Sequence, residues 1–256
     1  MIEVDCITYL YPEGQPVLSE VSFTVREKER VVLLGANGCG KTTLLRMLNG
    51  LSFPDQGTVG YRGTPVTARQ MKDRIWSRRF RKEVVLLFQQ PEAMLFNPTV
   101  YDEIAYGLRQ LGGNDVDARV RHWATQLDVD RHLSRPPFQL SGGEKQKVCL
   151  SALLALEPEV LLLDEPTANL DPRGSGWLVD FLQDLNVTSV TTTHNLGLAG
   201  ELGERAIVLS EEHRLIFDGP VGKLREDEQT LLAANLVHVH RHRRGPLLPP
   251  HAHEWG

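Results

Sequence analysis

The run VVLLGANGCGKTTLLRML, from Val31 to Leu48, limits the possible folds more than any other part of the chain. Gly35 to Thr42 matches G-x-x-x-x-G-K-[ST], directly after a short apolar run and directly before a helical pattern. The apolar run is strand-sized and continuous, as expected of a strand buried on both faces of a parallel sheet. Gly35, Gly38 and Gly40 allow consecutive backbone N–H groups to converge on one anion, and the helix start adds a favourable dipole. Lys41 is spaced to reach β- and γ-phosphates, and the Thr42 hydroxyl to ligate Mg²⁺. Asn37, Cys39 and Thr43 complete the loop and first helical turn. Cys39 reads as a small filler, because nothing nearby in sequence supplies a general base. A glycine-rich turn with no ligand is the alternative, and the flanking strand and helix argue against it.

The remaining pattern extends this to an α/β chain. IEVDCITYLY and VSFTVRE, rich in β-branched and aromatic residues, read as an opening pair of strands. VVLLF (84–88), VLLLD (160–164), TSVTTT (188–193) and AIVLS (206–210) are further strand candidates separated by helix-like segments. From Pro91 to Pro158 the pattern becomes helical. The expected organisation is an α/β core in residues 1–90 and 156–230, a helical insertion in 91–155, and a histidine-rich tail in 231–256. That tail holds five of the nine histidines and no apolar period, which predicts little order beyond its first turns. A length of 256 residues suffices for one large domain or two lobes. The formal net charge of −5 gives no reason to expect a nucleic-acid footprint. No apolar run approaches the ~18 residues of a membrane span. The acidic N-terminus lacks the order of a secretory signal, and Cys6, Cys39 and Cys149 fit no metal spacing or disulfide framework. A reducing cytoplasm is the expected setting.

Two further segments carry chemistry. VLLLDEPT (160–167) puts carboxylates at the end of a buried strand, where open α/β sheets bind ligands. Asp164 suits Mg²⁺, and Glu165 suits a general base that polarises water. Alone, such a pair is more often a loop start or helix cap; beside a phosphate loop the balance reverses. LSGGEKQKVCL (140–150) contains an S-x-x-E capping box, Ser141 with Glu144, ahead of a helical face at Val148, Cys149, Ala152, Leu153 and Leu156. A well-capped helix does not explain Gly142 and Gly143, each costing up to ~1 kcal/mol relative to alanine in a helix. Glycines there leave N–H groups uncovered for a phosphate. Lys41 already serves the chain's own nucleotide, so that phosphate would come from a second copy.

LSGGEKQ resembles the signature motif of ATP-binding-cassette (ABC) ATPases, and VLLLDEPTANLD resembles their Walker B strand and D-loop. The resemblance covers residues 2–224. It implies a P-loop NTPase (RecA-like) α/β core with an N-terminal antiparallel β subdomain and an inserted helical subdomain. It implies ATP and Mg²⁺ as ligands, and a head-to-tail pair in which each nucleotide lies between one P-loop and the partner's signature helix. Tyr11, 24 residues before Gly35, resembles the aromatic that stacks on adenine, with Tyr9 the alternative. Gln89, with Gln90 beside it, resembles the glutamine that contacts Mg²⁺ and water and senses the membrane partner. Asp171 resembles the D-loop aspartate, and His194 the switch histidine at the γ-phosphate; read without the family, a lone His after a strand is more often structural. The departures are Glu144, where glutamine is common, and Asn169, where alanine is common.

FQQPEAMLFNPTVYDEIAYGLRQLG (88–112) resembles the equivalent region of energy-coupling-factor ATPases, with Met94 replacing the usual glutamine. In that branch the segment lines the groove for a coupling helix, and Met94, Leu95 and Phe96 suit such a contact; packing inside the helical lobe is the alternative. The resemblance thus implies an ATPase subunit, in a homodimer or heterodimer, at the cytoplasmic face of the membrane, driving separate membrane and substrate-binding subunits. The imidazoles of the tail suit Ni²⁺, Co²⁺ or Zn²⁺, with a solvated end of no function as the alternative; the metal reading puts cobalt or nickel uptake ahead of vitamin uptake. Another ABC transporter class, or a soluble non-transport ABC ATPase, is the alternative. The basic cluster KDRIWSRRFRK (72–82) reads as a solvated helix face, with anionic lipid as the alternative.

Overall fold

The computed structural model describes residues 1–240 and 251–254, with the backbone alone for 238–240 and 251–254. In chain order the strands and helices are β1 (Ile2–Leu10), β2 (Pro16–Val25), β3 (Arg30–Leu34), α1 (Lys41–Leu48), β4 (Gln56–Tyr61), β5 (Thr64–Pro65), α2 (Arg74–Glu83), β6 (Val84–Leu87), α3 (Val100–Gln110), α4 (Val116–Gln126) and α5 (Gly142–Leu154). They continue with β7 (Val160–Leu163), α6 (Pro172–Asp184), β8 (Thr188–Thr192), α7 (Leu196–Leu202), β9 (Arg205–Leu209), β10 (Leu215–Pro220), α8 (Val221–Glu226), α9 (Glu228–Ala233), β11 (Val237–His240) and β12 (His251–Glu254). Contacts group the chain into two compact units, Met1–Thr67 with Val190–Gly256, and Ala68–Ser189.

In the first unit, β1 alternates Ile2 and Val4 inward with Glu3 and Asp5 outward. Cys6, at φ +46°, interrupts the pairing and returns Ile7 to the buried face, as a β-bulge does. β1 pairs antiparallel with β2 on one side and β4 on the other, giving the order β2-β1-β4-β5. β3 instead pairs in parallel with β9, Val31 opposite Arg205 and Leu34 opposite Val208, and its last four residues are buried. Both predicted architectures are therefore present: an antiparallel sheet at the N-terminus and a parallel core. β10 adds an antiparallel edge to β9.

The second unit packs α3, α4 and α5 around a core that includes Ile104, Leu108, Val120, Ala124, Val148 and Cys149. β6 and β7 pair in parallel, Val84 opposite Val160 through Leu87 opposite Leu163. Thr99 caps α3 through its hydroxyl and the Asp102 N–H (3.1 Å). The carboxylate of buried Glu103 accepts from the N–H groups of Phe96 (3.0 Å) and Asn97 (2.7 Å), which fixes the loop before α3. The buried face of α5 differs slightly from expectation. Val148, Cys149 and Leu156 are buried as predicted, but Ala152 and Leu153 are half-buried, while Leu154 and Ala155 are buried as the helix ends. Burial, then the Glu103 and Glu92 charges, pushes the Cys149 thiol up to about 12, which favours the protonated thiol over the nucleophilic thiolate. Helix α2 carries the basic cluster with Arg74, Arg78, Arg79, Arg81 and Lys82 exposed, as expected of a solvated face. Its capping Asp73 accepts from the N–H groups of Ile75 and Trp76.

Residues 237–240 pair their backbone antiparallel with 251–254, where composition predicts little order. The V-H-V-H alternation carries the period of a strand, which the tail's polarity obscured. The side chains of the tail histidines lie outside the described residues, so the expected metal contact lies there too. Among the described residues no helix is long and apolar enough to cross a membrane.

Arg205 joins the two sheets of the first unit. Its guanidinium donates to Asp218 on β10 at 2.5 and 2.6 Å, to Glu29 at 2.9 Å and to the Thr24 carbonyl of β2 at 2.9 Å. These partners hold its pKa above the usual arginine range, the Asp218 contact most of all. Replacing Arg205 with leucine strands two half-buried carboxylates, and lysine cannot restore the bidentate fork. Arg205→Leu is expected to lose about 2–3 kcal/mol, and Arg205→Lys most of that, both read as a lowered melting temperature.

Candidate functional site

The first unit contains a preformed anion cradle. The chain leaves β3 at Leu34 and enters α1 at Lys41 through three left-handed glycines, Gly35 (φ +144°), Gly38 (φ +86°) and Gly40 (φ +108°). At Gly40 a Cβ would lie 2.4 Å from the Val17 carbonyl oxygen, and at Gly35 2.5 Å from that of Leu209. Only glycine fits either position. Helix α1 has no side-chain cap and no acidic residue in its first turn, so its N–H dipoles meet no competing negative charge. Lys41, buried, donates through Nζ to the carbonyls of Gly35 (2.7 Å) and Ala36 (3.1 Å). Thr42 is half-buried at the helix start, and Thr43 is buried behind it. Cys39 is 2% exposed and fills the space inside the loop, as expected of a filler.

The N–H of Thr193 donates to the Leu33 carbonyl (3.2 Å), which sets the end of β8 beside β3 and projects exposed His194 toward the loop. His194 shares a cavity of about 390 Å³ with Gly35, Ala36, Asn37, Glu211, Asn235 and Leu236. The structure thus brings His194 and the phosphate loop together. Glu211 and Asn235, joined at 3.0 Å, line the same cavity. Sequence reasoning missed both, since neither belongs to a motif. Tyr11 lies in the turn after β1 with 45% of its surface exposed, and Tyr9, half-buried within β1, meets it edge to face at 6.1 Å. Tyr11 is therefore the ring with the more open face.

In the second unit, the Asp164 N–H donates to the Leu87 carbonyl (3.0 Å), so the end of β7 lies next to the end of β6. Exposed Gln89 and the acidic pair follow those two strand ends. Asp164 is 3% exposed and Glu165 7%, and Glu165 holds φ +46°. Positive φ is uncommon for a non-glycine residue and here marks the sharp turn that ends β7. Asn169 donates its Nδ2 to the Gln89 carbonyl (3.0 Å), and Gln146 donates to the Pro166 carbonyl. Asp171 is exposed and caps α6 by accepting the Gly174 N–H at 2.7 Å.

The start of α5 has the capping box read from the sequence. The Ser141 hydroxyl accepts the Glu144 N–H at 3.4 Å, and Glu144 accepts the Ser141 N–H at 2.9 Å and its hydroxyl at 2.8 Å. A Cβ at Gly142 would meet nothing within 4 Å, and one at Gly143 only the tip of Leu170 at 3.7 Å. The glycines are not required by packing within this chain. Nearby, Phe96 (66% exposed) meets Tyr106 edge to face at 4.9 Å, and Phe138 is 78% exposed. A cavity of about 260 Å³ is lined by Leu95, Phe96, Pro137, Phe138 and the Glu92–Lys145 pair. Met94 and Leu95 are half-buried against the helical core, so Phe96 is the outward member of the three.

A family profile described as ABC transporter matches residues 18–168. A protein of Caldanaerobacter subterraneus subsp. tengcongensis, provisionally named ABC transporter ATP-binding protein TTE0246, is 39% identical over 242 residues, spanning 93% of this chain and 99% of that protein. The energy-coupling factor transporter ATP-binding protein EcfA2 of Methanospirillum hungatei is 37% identical over 241 residues, 92% of this chain and 59% of that protein. Among solved structures, CbiO1 of Clostridium perfringens, part of the ABC transporter complex CbiONQ, superposes with a TM-score of 0.77 at 26% identity, covering 92% of this chain and 94% of that one. The ATP-binding cassette MJ0796, solved as a dimer bound to ADP and Pi, gives a TM-score of 0.77 at 25% identity, covering 86% of this chain and 99% of that one.

The glycine fit yields a graded test of the cradle. Gly40→Ala is expected to cost at least about 2 kcal/mol and to abolish nucleotide binding. Gly38→Ala, where a Cβ meets nothing within 4 Å, should cost about half as much. Thermal unfolding with and without MgATP reads both.

Proposed function

The chain belongs to the ABC transporter ATP-binding family and is an ATPase, and from that premise we propose that it powers an energy-coupling-factor importer for a transition metal ion or a vitamin. The observation carrying the ATPase reading is the glycine-only loop closed around Lys41, with His194 on the same cavity. The energy-coupling-factor branch is supported by the similarity to EcfA2 and CbiO1 and by the segment LFNPTVYDE. The histidine-rich tail favours cobalt or nickel over a vitamin.

In the proposed reaction the loop N–H groups and Lys41 hold the β- and γ-phosphates of ATP, and Tyr11 stacks on the base. Thr42, Asp164 and Gln89 are the residues suited to Mg²⁺, which when bound would neutralise phosphate charge. The Glu165 carboxylate takes a proton from water as the water oxygen attacks the γ-phosphorus, and the bond to the β-phosphate bridging oxygen breaks to leave ADP and phosphate. His194 supports the γ-phosphate from the loop side. Asn37, Gly38, Cys39 and Thr43 serve through the backbone of the loop and first turn. Ser141, Gly142, Gly143 and Glu144 are assigned to the nucleotide of a second subunit, identical or closely related, and Asp171 to the seam with it. The empty space around Gly142 is consistent with a ligand arriving from outside the chain.

Phe96 and Phe138, both exposed on either side of the small cavity, are proposed to receive a helix of the membrane subunit. This would keep the chain on the membrane as a peripheral subunit.

Glu165→Gln is expected to lower turnover at least about 100-fold while ATP affinity is retained and a dimer accumulates with MgATP, read by sedimentation. Unchanged hydrolysis would remove Glu165 from the role of base. Phe96→Asp should leave hydrolysis by the isolated protein within about twofold and abolish co-purification with the membrane subunits; full retention of those subunits would move their seat elsewhere.

A further inference from the structure

A carboxylate at the end of the LSGGE run raises an electrostatic problem. Glu144 sits three residues from Ser141, at a helix start assigned above to another subunit's polyphosphate, where a second negative charge is unfavourable. The structure provides a counterweight. His132, at the end of a one-turn 3-10 helix (Asp130–His132), is 5% exposed and places Nε2 2.9 Å from Glu144 Oε1. The Arg131 guanidinium approaches the same oxygen at 3.8 Å, and its Nε–H points at His132 Nε2 at 3.0 Å. His132 Nδ1 is buried and reaches no partner. A proton on Nδ1 would let Nε2 accept from Arg131 but would leave a buried N–H orphaned and set a ring lone pair against Glu144 Oε1 at 2.9 Å. With the proton on Nε2 the ring donates to Glu144 and leaves only Nδ1 unmatched, and the largely exposed Arg131 side chain must turn its Nε–H to solvent.

The two carboxylate oxygens then have separate duties. Oε1 is held by His132 and screened by Arg131, while Oε2 accepts both the N–H and the hydroxyl of Ser141. The Ser141 contacts, its N–H first and then its hydroxyl, hold the Glu144 carboxyl below its ordinary range. We propose that His132, assisted by Arg131, is a positioning residue for the ATPase reaction: it anchors Glu144 and thereby fixes the Ser141 side chain, while the Arg131 guanidinium offsets the charge that this glutamate brings to a partner's nucleotide. The proposal rests on the reading that Ser141 serves a second subunit. Its specific consequence is that His132 matters because residue 144 is a carboxylate, and becomes dispensable when residue 144 is a neutral amide.

The test is a double-mutant cycle between His132→Asn and Glu144→Gln in the full chain carrying Glu165→Gln, with MgATP-driven dimerisation read by sedimentation velocity and monomer ATP affinity by titration. In the chain with Glu144, His132→Asn is expected to weaken dimerisation about tenfold, with ATP affinity within twofold. Combined with Glu144→Gln, it should change dimerisation less than twofold. Equal losses in both backgrounds would mean a merely structural histidine and would overturn the proposal, as would no loss in either. A parent protein that stays monomeric with MgATP would instead remove the two-subunit reading, and the proposal with it. Should His132→Asn fail to fold, Arg131→Gln, at a largely exposed side chain, tests the same cycle; a loss of about threefold only in the chain with Glu144 supports the proposal, and an identical effect in both chains overturns it.

Discussion

Everything at the phosphate loop depends on two backbone approaches too close for a side chain. Gly40 lies against the Val17 carbonyl of β2, and Gly35 against the Leu209 carbonyl of β9. One contact belongs to the antiparallel sheet and the other to the parallel core, so the loop is clamped between the two sheets of its own unit. Its shape is therefore set by the sheets before any ligand is present, and binding need not bear the cost of ordering it. The Lys41 ammonium, held by the Gly35 and Ala36 carbonyls, is kept inside that clamp. The Arg205 network performs the corresponding task at the opposite end of β9, tying β10 and β2 to the strand whose far end closes the loop.

Polar groups in the helical unit do comparable work at short range. Glu103 spends its carboxylate on two loop N–H groups, which leaves Phe96 exposed on a loop that is itself fixed. The capping box at Ser141 keeps the glycines of the signature turn at a defined helix start without covering them. Rigid support for an open surface is what a docking element requires, because affinity is lost when both partners must be ordered on contact.

The parts of this architecture legible in the sequence are those whose chemistry is local. The phosphate loop, the acidic pair after β7 and the capping box each lie within a dozen residues, and the apolar runs of β3, β6, β7 and β9 name themselves. Strands β4 and β10 escaped notice because QGTVGY and LIFDGP dilute their apolar residues with glycine, polar groups and proline. The site residues that sequence could not supply are those defined across the fold. Glu211 and Asn235 reach the loop cavity from separate elements, and His132 acquires its meaning only from a glutamate twelve positions away. Asn169, a departure from the family pattern when read as text, has a definite use: its amide is spent on the Gln89 carbonyl.

That last contact has a mechanical implication. The hydrogen bond from the Asn169 amide fastens the main chain at Gln89 to the segment that runs on to Asp171, so movement of one loop loads the other while it lasts. Drawing the Gln89 carbonyl aside by more than about an ångström must either sever the link or drag the aspartate's segment along. A strain entering at one loop is thus delivered to the other without passing through the body of either helix.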